Sequence, residues 1–181
     1  RGMMRKILEV NGLSKIYGPS CPRCVDSTGY ESERNMCPYC GSVVAIHDVS
    51  FDLFEGEILG VMGESGSGKS TLVKSLYFDV APQAGRAMFF DKKKQYSMFE
   101  INAAKRRKLR NLKFGMVYQN PHLALHFNIS VGGNIAERLL MSGEARYRKI
   151  RDRVTDLLER TEVPVTRIDD YPGNFSGGMQ Q

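Results

Sequence analysis

Gly63-Glu64-Ser65-Gly66-Ser67-Gly68-Lys69-Ser70 has the spacing G-x-x-x-x-G-K-[ST], the pattern of a phosphate-binding loop. Three glycines let the backbone curl until successive N–H groups face one anion. Lys69 supplies a positive charge for β- and γ-phosphates, and the Ser70 hydroxyl can hold Mg²⁺. Thr71 follows at the opening of a helix, where the partial positive charge of the helix end also favours phosphate. The flanks agree. Residues 57–62 form a short apolar run suited to a buried strand, and Leu72 and Leu76 stand one helical turn apart in 70–78. A chance match in a chain of this length is about one in a hundred. The plainer reading, a glycine-rich turn between strand and helix, is disfavoured once the flanks are counted.

The cysteines form a second constellation. All four fall in two C-x-x-C pairs, Cys21/Cys24 and Cys37/Cys40, with twelve residues between the pairs. Two such knuckles complete a tetrahedral four-sulfur site. Pro22, Pro38 and Gly41 suit the tight turns required. Residues 25–36 are polar, so a metal would have to hold the segment together. Zn²⁺ in a closed, structural site fits best; a rubredoxin-like iron site or disulfides would use the same spacing. Binding Zn²⁺ by four thiolates takes the formal net charge from +6 to about +4.

The elements that must position these groups can be read around them. Residues 6–10 and 13–18 read as one strand or two, and 43–53 as another, with Val49, Phe51 and Leu53 alternating with Ser50 and Asp52. The cysteine segment, 19–42, then reads as an insert between two strands of one sheet. Residues 86–90 read as a strand, 101–112 as a basic helix with Ile101, Leu109 and Leu112 inward, and 114–118 as a buried strand. Beyond Gln119 the pattern turns helical. Ser130 can cap a helix carrying Val131, Ile135 and Leu139. A second helix over 144–161 would place Tyr147, Ile150, Val154, Leu157 and Leu158 on one face. Glu144–Arg148 and Asp156–Arg160 would pair on the other, and Pro164 would stop the helix.

Composition bounds the rest. The chain has 181 residues, 41% hydrophobic and 25% charged, which is ordinary for a globular protein. No apolar run approaches the length of a membrane span, and no secretory signal is visible. The start at Arg1-Gly2-Met3-Met4 and the stop at Gln181 read as truncation. Lys105 to Lys108, Arg110 and Lys113 carry much of the positive charge. They suit either a wet helix face or a patch for an acidic partner.

Four pieces stand in one order: Tyr17-Gly18, the loop at 63–70, Tyr118-Gln119-Asn120-Pro121, and Phe175-Ser176-Gly177-Gly178-Met179-Gln180-Gln181. This order resembles the ATP-binding cassette (ABC) ATPases. The resemblance implies an α/β P-loop fold with an antiparallel β-subdomain, part of a RecA-like core and a helical subdomain, here with a small four-cysteine zinc insert. The β-subdomain and first part of the core would take 1–18 and 43–118. The insert would take 19–42, and the glutamine loop, helices and signature 119–181.

The resemblance also implies roles. Tyr17 would stack on adenine, where a ring face offers about 0.5–1.5 kcal/mol beyond burial. Lys69 and Gln119 would be the catalytic residues, with Gln119 reaching Mg²⁺ and water near the γ-phosphate. Ser176, Gly177 and Gly178 would form an anion nest for nucleotide held by a second cassette in a head-to-tail dimer. ATP, Mg²⁺ and structural Zn²⁺ are the implied cofactors.

Within the family, residues 132–140, Arg146-Tyr147, Ile150-Arg151, Val163-Pro164 and 167–170, with the signature, resemble the cytoplasmic ATPases that dock on the carbon–phosphorus lyase core for phosphonate breakdown. The cysteine insert departs from the basic cassette pattern. An importer ATPase for peptides, nickel or a similar solute, peripheral to the inner membrane face and docked on permease subunits, is the alternative. A DNA-repair cassette is a third reading, disfavoured because its zinc module follows the phosphate loop; nucleic acid is not an expected partner. The family's Asp-Glu strand end, whose Asp supports Mg²⁺ and whose Glu polarises the attacking water, and its switch histidine do not occur by Gln181. None of His47, His122 and His126 fits the switch. The stretch by itself is expected to hydrolyse ATP poorly.

Overall fold

Val10 and Leu13 are the two fully buried positions of the first strand, and their spacing of three breaks the period of two that a flat strand imposes. The computed structural model, which describes residues 4–92 and 94–181, shows why. Residues 6–10 and 13–17 belong to one bulged strand, β1 (Lys6–Tyr17). Its register against β2 (Val43–Phe54) shifts between Val10 and Leu13, which returns Leu13 to the buried face. β1 also pairs with β3 (Ala84–Asp91), which pairs with β4 (Lys94–Ser97). All pairings are antiparallel, in the order β2-β1-β3-β4. β4 carries no sequence signal of its own: it is a short edge strand that opens on a lysine.

The chain divides into two compact units, one up to Arg106 and one over Arg107–Gln181. In the first, Val10, Leu13, Ile46, Ala87 and Met98 are buried, as is Leu72 of α1 (Lys69–Leu76). Tyr17 pairs with Val43, so the 25 residues 18–42 leave and re-enter the sheet at one rung. Helix α2 (Ala103–Leu112) is started by Asn102, whose side-chain oxygen accepts the Lys105 N–H at 3.0 Å. Leu109 is buried as expected, but Leu112 is exposed.

In the second unit, Ser130 caps α3 (Val131–Met141) through the Gly133 N–H at 3.1 Å. Ile150, Val154 and Leu158 of α4 (Tyr147–Arg160) form a core with Val163, Ile168 and Phe175, and Val131, Ile135 and Leu139 of α3 pack on it. Tyr147 is 76% exposed, because the packed stripe begins at Ile150. Glu144 precedes α4 and pairs with Arg146 at 2.8 Å instead of Arg148. Asp156 reaches Arg160 at 3.9 Å and also pairs with Arg153.

Two expected strands are absent. Residues 57–62 and 114–118 run without a strand ladder, with Ile58 96%, Met62 95% and Val117 77% exposed. A parallel core strand is stable only between neighbours with both faces covered. The sheet among the described residues is antiparallel and supplies neither segment with such a neighbour.

Candidate functional site

The loop at 63–68 is held from behind. Gly68 sits at φ +88°, and a Cβ there would lie 1.9 Å from the Ala45 carbonyl oxygen of β2. No side chain fits at that distance, so glycine is required to bring the loop against the strand. The Leu72 N–H then bonds to the Gly68 carbonyl at 2.9 Å and starts α1. Lys69 folds back over the loop. Its Nζ donates to the carbonyls of Gly63 at 2.7 Å and Glu64 at 2.6 Å, and to Ser67 Oγ at 3.2 Å. The Ser67 N–H meets the Glu64 carbonyl at 3.2 Å. Glu64, Ser65 and Ser70 are exposed; Thr71 is half-buried. The curl, the ammonium group and the open face fit a polyphosphate, with the carbonyls now on Lys69 having to yield it.

Tyr17 closes β1, 42% exposed, with Lys15 Nζ 5.1 Å from its ring centroid. Gln83 locks the strand beside it. Its amide accepts the Ile16 N–H and donates to the Ile16 carbonyl at 2.7 Å, a pairing with no signal in the sequence. Since Tyr17 pairs with Val43, and Gly68 presses on Ala45, the ring and the loop share one end of the β1–β2 pair.

The cysteines converge at that same end. Their sulfurs all lie within 4.8 Å of one another, with Cys21–Cys37 and Cys21–Cys24 at 3.7 Å and Cys24–Cys40 at 3.4 Å. A tetrahedral site with Zn–S bonds of about 2.3 Å has sulfur edges of about 3.8 Å, so the spacing suits such an ion. Cys24 and Cys37 are buried. Cys37 is lowered to about 6, chiefly by the Ser27 hydroxyl, which donates to its sulfur at 3.4 Å. Cys21 is pushed up to about 12. The Arg23 backbone N–H lowers it most, but desolvation and the thiols of Cys40, Cys24 and Cys37 outweigh that contact. Four thiols this close cannot all ionise without a cation.

Ser42, fully buried, holds the neck of the module. Its hydroxyl accepts the Ser20 N–H at 2.9 Å and lies 3.2 Å from Cys40 Sγ, and its carbonyl accepts the Cys37 N–H at 2.8 Å. Sequence reasoning missed Ser42; its place directly after Cys40-Gly41 was the available signal.

In the second unit Gln119 is exposed, and its carbonyl accepts from Gln181 Nε2 at 3.1 Å. Gln119 and the end of the 175–181 segment therefore stand together. Ser176 caps the short α5 (Gly177–Gln180), with nothing within 4 Å of the Cβ positions of Gly177 and Gly178. Arg167 fastens the segment from below. Its guanidinium lies 3.9 Å from the Phe175 ring centroid, donates to Asp170 at 2.8 Å and to the Asn174 carbonyl at 2.8 Å. Tyr17 and residues 63–71 lie in one unit, Gln119 and 176–178 in the other.

A sequence model of the ABC transporter family matches residues 46–181, three quarters of the chain. The chain belongs to that family. It is 40% identical over 179 residues to the phosphonates utilization ATP-binding protein PhnK of Escherichia coli K12, covering 99% of this chain and 60% of that protein. It is 33% identical over 150 residues to the dipeptide transport ATP-binding protein DppD of Bacillus subtilis, covering 79% and 44%. The chain thus spans about 60% or less of these relatives' lengths. Its fold is similar to that of the ATP-binding cassette MJ0796, solved as a dimer bound to ADP and Pi. The TM-score is 0.73 at 22% identity, over 96% of this chain and 65% of that one. No helix among the described residues is long and apolar enough to cross a membrane.

Proposed function

We propose that this chain is the nucleotide-binding part of an ABC-type ATPase serving a phosphonate carbon–phosphorus lyase system. The observation that carries the ATPase reading is the loop at 63–70, curled around its own ammonium group. On binding, Lys69 exchanges the carbonyls of Gly63 and Glu64 for the β- and γ-phosphates of ATP, and the loop N–H groups turn to the same anion. Ser70 and Gln119 offer a hydroxyl and an amide oxygen to Mg²⁺. Tyr17 offers its exposed ring to adenine, and Ser176, Gly177 and Gly178 face the nucleotide of a second cassette. The parent protein's reaction is ATP + H₂O → ADP + phosphate, coupled to dimer closure. Zn²⁺ in the Cys21, Cys24, Cys37 and Cys40 centre is structural, because four thiolates leave no open position.

The lyase assignment is supported by the 40% identity to PhnK, which runs through 99% of the chain. Relatives named for dipeptide transport, at 33% over 79% of the chain, favour a second reading as the ATPase of an importer. Co-purification separates the two. The full-length protein is expected to retain the carbon–phosphorus lyase core and no permease; retention of a permease alone would reverse the assignment.

A further inference from the structure

The cysteine module does not stand clear of the phosphate loop. Asn35, between the two cysteine pairs, points its side-chain amide at the loop, with Nδ2 3.4 Å from the Gly66 carbonyl oxygen. A Cβ built on Gly66 would lie 3.8 Å from the same nitrogen, and no other atom is as close. Asn35 is itself held. Its carbonyl accepts the Val44 N–H at 2.8 Å, and Met36 beside it bridges to Val43. The next residue of β2, Ala45, is the one on which Gly68 presses. The module therefore touches the loop at Gly66 and anchors to the stretch of β2 that meets Tyr17 and Gly68.

Gly66 lies at φ +83°, a region that glycine enters without the penalty a Cβ brings, so its own sterics constrain the peptide that follows less than another residue's would. In a trans peptide the carbonyl of Gly66 and the N–H of Ser67 point in opposite directions. A donor outside the loop that holds the carbonyl outward thereby directs the Ser67 N–H inward, where it now meets the Glu64 carbonyl. We propose that Asn35 is a positioning residue for the phosphate loop, through which occupancy of the four-cysteine centre sets nucleotide affinity. The backbone of Asn35 is tied to β2, but residues 25–36 have almost no apolar core, so a dication on the four sulfurs is what fixes the segment around that tie and, with it, the direction of the Asn35 side chain. The inference rests on the reading of 63–70 as a nucleotide site. Coupling of this kind is reciprocal: bound MgATP must tighten Zn²⁺ by the factor by which Zn²⁺ tightens MgATP.

The test is a cycle on the full-length protein, with MgATP affinity measured calorimetrically and Zn²⁺ affinity by competition with a chromophoric chelator. Asn35→Ala, loaded with Zn²⁺, is expected to weaken MgATP about two- to tenfold, the worth of one hydrogen bond. Stripping Zn²⁺ from the unmodified protein is expected to weaken MgATP at least as much. Stripping Asn35→Ala is expected to add less than it does to the unmodified protein, because the link is already cut. MgATP should tighten Zn²⁺ binding to the unmodified protein and lose that effect in Asn35→Ala. Strictly additive losses, or unchanged MgATP affinity in loaded Asn35→Ala, overturn the coupling while leaving the nucleotide site intact. Failure of the loaded, unmodified protein to bind MgATP overturns the site itself.

Discussion

Lys69 makes three hydrogen bonds inside its own loop, so the ammonium group holds the loop in its curl in addition to the part proposed for it in binding phosphate. Lys69→Ala should therefore remove both functions. Hydrogen bonds to a charged group are worth about 1.5–3 kcal/mol, which predicts a loss of MgATP affinity of about ten- to a hundredfold. Undiminished binding and turnover in that variant of the full-length protein would end the ATPase reading. Gly68 is the complementary case. An alanine there must accept a positive φ, at about 1–3 kcal/mol, and push back the Ala45 carbonyl. Gly68→Ala should lower the melting temperature and abolish nucleotide binding together. Retention of both would show that the loop can leave β2 without consequence.

Among the elements, α4 is held by its apolar stripe. Leu158→Ala removes a side chain buried to 2% exposure and should cost about 2–5 kcal/mol, read by urea unfolding. The turn before α4 has a pH signature. Glu144 is lowered to about 2, first by the Arg146 side chain and then by the Arg146 backbone N–H. A depressed carboxylate contributes stability in full above its unfolded pKa and loses it as pH falls through its folded one. Thermal melts of Glu144→Gln and the unmodified protein should differ at pH 7 and converge from about pH 4.5 toward pH 2. A gap that persists at pH 2 would deny Glu144 its pairing. For the cysteine module, dependence on metal is the test. Chelation is expected to open 18–42 to protease while β1 and β2 stay paired, and purification without chelator should give one Zn²⁺ per chain. No zinc, with all four thiols still titratable, would remove the centre.

At the scale of the molecule, the part proposed for the exposed Ser176-Gly177-Gly178 turn is tested by assembly. The full-length protein should double its mass in light scattering when MgATP is added under conditions that slow hydrolysis. Ser176→Arg should bind MgATP as before yet remain monomeric; a variant that still dimerises would place the contact elsewhere. Features set by a few neighbouring residues were legible in the chain itself. They include the loop spacing, the two cysteine pairs, the Ser130 cap and the α4 stripe from Ile150 to Leu158. Their physics is local: a cap, a turn or a helical face is complete within one to three turns of chain. The apolar runs at 57–62 and 114–118 could not be judged the same way, since a strand exists only with a neighbour, and composition does not say whether one is there. The bulge in β1 and the neck at Ser42 were likewise decided by packing. So was the reach of Asn35 to Gly66 across 31 positions of sequence, a contact that depends on where the β1–β2 pair carries the module, information that no short stretch of residues holds.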